Sequence, residues 1–474
     1  MKIIVEGWRF IPHSYAIINH FQLLEMVKRP DLTVFHQDMP FVKNAWKPVK
    51  GLVDPISEMA LRQLPSPPPN GEADVTLRMY CPFNLRSANT PRTVMFGSTE
   101  WGTVPPSIIK GMKVTSFQQA HAHSNTIIVT PSNWSREGFI YSGADPDRVE
   151  IVPHGVDPQI YRPLPSEERR KLRQKLGWND YFIFFNSGVM WNQRQGVDGL
   201  LKAFAQVVDR CPEARLVLKG RDHIFPSRQE ILNASKNALT DAELEKIKPR
   251  VIYMGGNLSS TEVAELYQAA NVYVSPYLAE GFNLPVLEAA ACGLPVICTQ
   301  GGPTDDFTHP DFTWGIKSQV SSLPMEGSTA FAVVPQLEHL IILMQEIIDS
   351  REFCDRARET GPKWVHSRFT WKHTIDKLLP ILAGSKEAEG RRRHTCPEGR
   401  RRHTCPEGFL LTVKDEPLTV KDEPLTVDKG QDNKQEHGNA LSPPLPLSLS
   451  PPLPHTLPNH RRRMAKSAAF LCIN

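Results

Sequence analysis

Residues 272–299 read VYVSPYLAEGFNLPVLEAAACGLPVICT. Residues 272–275 and 295–299 are short β-branched runs marked by Pro276 and Pro295, which reads as two buried strands joined by a crossover. Only a helix fits between them. Pro285 suits a first helical position, residues 286–292 are mostly good helix formers, and Gly293 before Leu294-Pro295 predicts a left-handed stop. The unit is strand, glycine-containing loop, short helix, strand.

A helix N-terminus at the carboxyl end of a parallel strand presents unpaired N–H groups and a partial positive charge, which suits a phosphate. Glu280, Gly281, Phe282, Asn283 and Leu284 supply the loop amides, and Gly281 would leave the backbone open to a ligand. Glu280 and Glu288, eight residues apart, place one carboxylate where it can face a sugar and the other where it can hold both hydroxyls of a ribose. The plain alternative makes Glu280 a solvated loop charge and Glu288 a partner of its own helix dipole.

On these residues the stretch resembles the retaining glycosyltransferases of family 4, formerly group 1. Glu280 and Glu288 match E-x7-E, and SPYLAEGFNLPVLEAAACGLPVICTQGG follows the family pattern around it. The resemblance implies a GT-B fold, two Rossmann-like doubly wound α/β domains facing a cleft. It implies a retaining hexosyltransferase that moves sugar from a nucleotide-sugar donor to an acceptor hydroxyl, with Glu280 at the sugar, Glu288 at the ribose, and no metal or other cofactor. Gly255, Gly301 and Gly302 become donor contacts on the same basis. Family members hold the donor pyrophosphate with a basic residue after the first glycine of the loop at 188–196 and a lysine before its end. Here Val189 and Gln195 stand there, which leaves Arg194 and Lys219 as the available cations.

The rest of the chain fits two domains. Residues 3–5, a helix from 15 to 28, and residues 32–36 open an α/β domain whose strand-end loops should face the cleft. That makes His13 an acceptor-side candidate, although a histidine beside Pro12 and Ser14 is more often a loop hydrogen-bonder. Glu100 is the second candidate, since it is the nearest ionisable residue after the strand at 92–96, where many family members carry a histidine. The sequence VPHGVD at 152–157 resembles the family's crossing into a second domain. The expected organisation is therefore 1–160, 161–368, a helix at 369–384 crossing back to the first domain, and a tail at 385–474. Asp145 and Asp147 form a D-x-D, but their GADPDR setting reads as a turn, and metal is discounted.

The tail changes character. RRRHTCPEG at 391–399 recurs at 400–408, and LTVKDEP at 411–417 recurs at 418–424; units this short cannot bury a face, so the tail is expected to be disordered. His394, Cys396, His403 and Cys405 owe their spacing to the repeat, and zinc is again discounted. The tail also inflates the 42 prolines of the 474 residues, and a formal charge of +4 argues for neither nucleic acid nor an anionic membrane. No run approaches 18 apolar residues, and residues 1–6 are too short for a signal peptide, so the expectation is a cytoplasmic chain with room for peripheral membrane association. Its partners are the donor and a saccharide, lipid or other acceptor. Two alternatives remain: a nucleotide-sugar-binding protein without catalysis, motivated by Val189 and Gln195, and an epimerase or phosphorylase on the same fold.

Overall fold

The computed structural model describes residues 1–109, 112, 114–325 and 328–384. The repeats and the His/Cys tract lie outside the described residues.

Six parallel strands form the first sheet: β1 (Lys2–Gly7), β2 (Thr33–Asp38), β3 (Val75–Met79), β4 (Arg92–Phe96), β5 (Ile127–Thr130) and β6 (Val149–Ile151), in the order β2-β1-β3-β4-β5-β6. A second parallel sheet contains β7 (Phe182–Ser187), β8 (Ala214–Lys219), β9 (Val251–Met254), β10 (Val272–Ser275), β11 (Val296–Thr299) and β12 (Thr313–Ile316), in the order β12-β11-β10-β7-β8-β9. Both are doubly wound, so each has a point where the strand order reverses and a crevice opens at the strands' carboxyl ends. In the second sheet that point lies between β10 and β7. Strand interiors such as Phe184, Phe185, Val217 and Leu218 are buried on both faces, as a helix-covered parallel sheet requires.

The segment at 272–299 folds as its pattern predicts. Leu284–Ala291 is helical with proline in its first turn, and Gly293 turns left-handed at φ 73°. Asn283 is left-handed too, at φ 71°, which swings the loop from β10 into the helix while its side-chain amide donates to Ser275 Oγ at 3.0 Å.

The chain passes between the domains twice, and the two crossings touch. Val156 bridges Thr370, with Val156 N donating to Phe369 O at 3.0 Å. Thr370 caps the helix Trp371–Ala383, whose Trp371 stacks on Phe21 at 5.5 Å while Ile375, Leu378 and Leu382 join the core around Ile3 and Val5. The last helix therefore crosses back onto the first domain. Gly155 makes the joint: a Cβ there would lie 2.2 Å from the Thr370 carbonyl carbon. Gly155→Ala should cost about 3 kcal/mol, because backbone meets backbone and neither crossing can yield alone. Denaturant titration should show a lower midpoint; an unchanged midpoint would mean the joint is plastic.

One element was not anticipated. Ser318–Met325 and Ser328–Pro335 form an antiparallel hairpin that leaves the second domain and touches the first, with Phe331 N donating to Trp101 O at 2.8 Å and the Phe331 ring 5.0 Å from Tyr141.

Candidate active site

The carboxyl ends of β7, β8 and β10 meet the loops after β1 and β4 across a narrow cleft. Two small adjoining spaces, of 140 and 60 Å³, share Pro12, Ile17, Arg221 and Glu288 in their walls. A larger space of 660 Å³ lies at the β11–β12 edge beside His309 and Glu346, away from both motif glutamates.

Glu280 and Arg194 form the centre of the first space. Arg194 donates from Nη2 to Glu280 at 2.7 Å, pairs through Nη1 with Glu100 at 2.9 Å, and donates from Nε to Ala279 O at 3.1 Å. The guanidinium thus joins a first-domain carboxylate to a second-domain carboxylate. This corrects the sequence reading: Arg194 is not a free cation waiting for pyrophosphate but the clamp that orients Glu280. Burial raises the Glu100 carboxyl above its ordinary range, with the Glu280 charge adding to the rise and Arg194 opposing it.

Gln195 also has a local task. Its Oε1 accepts from Met190 N at 2.6 Å, and its side chain lies against Gly188, where a Cβ would come within 2.0 Å of the amide nitrogen. The neutral residue closes the loop after β7.

Glu288 and Lys219 occupy the second space without pairing. Glu288 is 8% exposed, accepts from the Tyr267 hydroxyl at 2.9 Å, and has the Tyr161 hydroxyl in support. Burial pushes its carboxyl up to about 7 against the opposing pull of the two hydroxyls and Arg221. Lys219 is 5% exposed at the end of β8, opposite Ser187 in β7, and its ammonium donates to Gly220 O at 2.5 Å and Gly256 O at 2.8 Å. Burial and the neighbouring Arg221 push it down to about 7, with Asp222 opposing. Among the described residues neither has an ion-pair partner. A carboxyl and an amine buried unpaired on one cavity are each driven toward the neutral form, at a cost to the fold.

Arg221 went unnoticed in the sequence. It follows the Gly220 turn, lines both spaces, and donates from Nη1 to Pro12 O at 2.7 Å. Among the described residues it too makes no ion pair. A cation directly after a strand-end glycine was the available signal.

The other expected site residues divide. Gly281 faces protein: a Cβ there would lie 2.6 Å from Ser98 Cβ, and its carbonyl accepts from Ser132 Oγ at 2.7 Å and Ser135 Oγ at 3.2 Å. The close approach is between domains, which corrects the reading of an opening for ligand. Gly255 likewise faces Asp222, and Gly302 faces the Tyr277 hydroxyl. Gly301 is left-handed at φ 86° and donates to Asp305 at 2.8 Å. Phe282 packs between His154 at 4.9 Å and Phe307 at 4.7 Å, while Leu284 and Asn283 line the cleft. Asp306 accepts from Asn133 N at 2.7 Å and Nδ2 at 2.9 Å, so it caps a first-domain helix, Asn133–Tyr141.

His13 lines the cleft but caps the helix Ser14–Met26 through Nδ1, which accepts from Tyr15 N at 3.3 Å. Burial, then the Arg221 and Arg194 charges, push it down to about 3, so it is neutral at physiological pH.

Residues 181–311 match the family described as glycosyl transferases group 1, and they contain Lys219, Glu280 and Glu288. Over these residues the chain is similar to the group 1 glycosyl transferases. It is 27% identical over 279 residues to a D-inositol 3-phosphate glycosyltransferase of Stackebrandtia nassauensis, covering 56% of each chain. It is 25% identical to a mannosylfructose-phosphate synthase of Agrobacterium fabrum, covering 50% of this chain and 48% of that one. The chain spans about half the length of these curated relatives. Among solved structures, Anabaena HepE in complex with UDP and glucose superposes with a TM-score of 0.56 at 15% identity, covering 81% of this chain and all of that one. Sucrose-phosphate synthase from Thermosynechococcus elongatus gives the same score, identity and coverage. These likenesses establish the GT-B fold. Among the described residues no helix is long and apolar enough to cross a membrane.

Proposed function

We propose that this chain transfers a sugar from a nucleotide-sugar donor to an acceptor hydroxyl with retention of anomeric configuration. The observation that carries the reading is the unpaired couple Lys219 and Glu288 on one buried cavity at the strand-order reversal of the second sheet. Such charges are retained at a cost to stability where a ligand completes them. Glu288 offers a carboxylate to a vicinal diol, and Lys219 and Arg221 offer cations to a pyrophosphate. Glu280, clamped by Arg194, accepts from the sugar's hydroxyls.

Chemistry follows from that arrangement. The bond from anomeric carbon to phosphate oxygen breaks through an oxocarbenium-like state, and its electron pair leaves on the pyrophosphate facing Lys219 and Arg221. The acceptor hydroxyl attacks from the leaving-group face, and a donor phosphate oxygen takes its proton. The two cleft spaces fall below the roughly 300 Å³ at which ligand pockets begin, so donor entry requires the domains to part. Parting them breaks the Arg194–Glu100 pair and the Ser132 and Ser135 bonds to Gly281.

A thermal-shift screen of UDP-, GDP- and ADP-sugars, followed by donor turnover with and without acceptors, tests the reading. No shift with any nucleotide sugar counts against it. Val189 and Gln195 are neutral and Arg194 is committed to carboxylates, which favours a second reading, a nucleotide-sugar binder without catalysis. Donor binding with no product would select it.

Glu288→Gln separates function from fold. At pH 8 the variant should bind donor more weakly by about 1.5–3 kcal/mol, since an amide accepts from a diol less strongly than a carboxylate. Below pH 7 the difference should shrink, because Glu288 is then itself protonated. A carboxyl raised in the folded state stabilises the fold at low pH and loses that contribution as pH rises through about 7. The variant should therefore melt higher than wild type at pH 8. Unchanged donor affinity would remove Glu288 from the site.

A further inference from the structure

Beside the donor cleft lies a cavity of 390 Å³ that shares His13, Glu100 and Arg194 with it and is walled mostly by aromatic and aliphatic side chains, with Ser98, Thr99, Thr103 and Glu230 among them. Trp8, Trp46 and Phe225 form one wall: Trp8 and Trp46 meet edge to face at 6.0 Å, Phe225 sits 6.0 Å from Trp46, and the Trp46 indole N–H donates to Ile224 O at 3.1 Å. Trp101 and Trp191 form another, 6.2 Å apart, with Trp191 41% exposed at the rim.

The hydroxyls of this cavity are already bonded to the protein. Thr99 Oγ1 donates to Ser135 O at 3.1 Å, Thr103 Oγ1 pairs with Ser142 Oγ at 3.2 Å, and the Tyr15 hydroxyl pairs with Ser98. A polyhydroxylated ligand would lose its water shell and find few replacements. Charge points the same way. Arg194 is the sole cation among the described residues lining the cavity, and it is held by Glu100 and Glu280. A phosphate-bearing acceptor would meet Glu100 and Glu230 with no free cation.

We propose that this cavity is the acceptor site and that it takes a neutral aromatic alcohol, whose ring seats among the tryptophans while its hydroxyl reaches the cleft beside Glu100. The inference rests on the transferase reading above. It sets this chain apart from its curated relatives, two of which are named for phosphorylated acceptors or products.

The test offers the full chain its best donor from the thermal-shift screen and compares 4-methylumbelliferone, phenethyl alcohol, glucose and D-inositol 3-phosphate as acceptors. The expected result is glycoside formation with the two aromatic alcohols and little with the others. Trp191→Ala should raise KM for the aromatic alcohols by about tenfold, and Trp191→Phe should restore it. Donor turnover with preference for glucose or the inositol phosphate would overturn the acceptor assignment alone, as would an unchanged KM in Trp191→Ala. Failure to bind or turn over any nucleotide sugar would instead overturn the transferase reading beneath it.

Discussion

Replacing Arg194 with methionine should abolish transfer and destabilise the protein by about 3 kcal/mol, near the lower end for a buried pair that loses one partner because Glu100 keeps partial contact with solvent. The guanidinium satisfies two carboxylates and a backbone carbonyl at once, and methionine satisfies none while preserving much of the stem's packing. Glu100 and Glu280 would then face each other as like charges across the domain boundary without the guanidinium between them. The loss should depend on pH. With its pKa raised further by the missing cation, Glu100 binds a proton more readily folded than unfolded, so the variant's stability should fall as pH rises through that folded pKa. Urea titrations between pH 5 and 8 should show the gap to wild type widening toward pH 8. A constant gap would assign Arg194 a packing role. Activity distinguishes further: Arg194→Lys keeps one charge but cannot fork between two carboxylates, and should recover stability more than rate.

This triad shows where sequence reasoning stopped. Glu280 in the loop and Glu288 in the helix lie on the elements the sequence predicts, because Pro285 and Gly293 mark the helix ends and local punctuation survives folding. The strands read at residues 3–5, 32–36, 92–96, 272–275 and 295–299 were legible for the same reason: a parallel sheet buries whole runs, and a run is visible without its neighbours, whereas the edge strand Thr313–Ile316 was not read. The partner of Arg194 was not legible. Glu100 stands 94 positions away in another domain, and nothing in the residues around Arg194 distinguishes a clamp from a free cation.

The glycines failed differently. A glycine reports that something approaches the backbone, not what approaches it. At Gly281, Gly255 and Gly302 the neighbours are Ser98, Asp222 and Tyr277, so the protein itself explains residues assigned to the donor. Lys219 was read correctly as the cation at a strand end, whereas Arg221 was missed because the reading ended with the strand. The hairpin at 318–335 was missed because its pattern lies outside the doubly wound repeat that organised the rest.

Lys219 carries the other large expectation. Its folded pKa, depressed to about 7, means that between pH 7 and its ordinary range the unfolded chain holds a proton that the folded chain lacks, so its ionisation makes stability rise with pH across that window. A pyrophosphate entering the cavity reverses the balance. The anion favours the ammonium, so donor binding at pH 8 should take up most of a proton from buffer. Glu288 contributes little there, because its own titration near 7 is largely complete by pH 8. Calorimetry in two buffers of different ionisation enthalpy measures the uptake directly. In Lys219→Met the uptake should vanish, and turnover should fall by about 10²-fold or more, as when one donor is removed from a preorganised anion site. Binding should suffer less than rate, since the charge on the pyrophosphate grows as the sugar leaves. If the variant takes up the same proton as wild type, the pyrophosphate does not meet Lys219, and Arg221 with the amides of the 280–284 loop becomes the anion site instead.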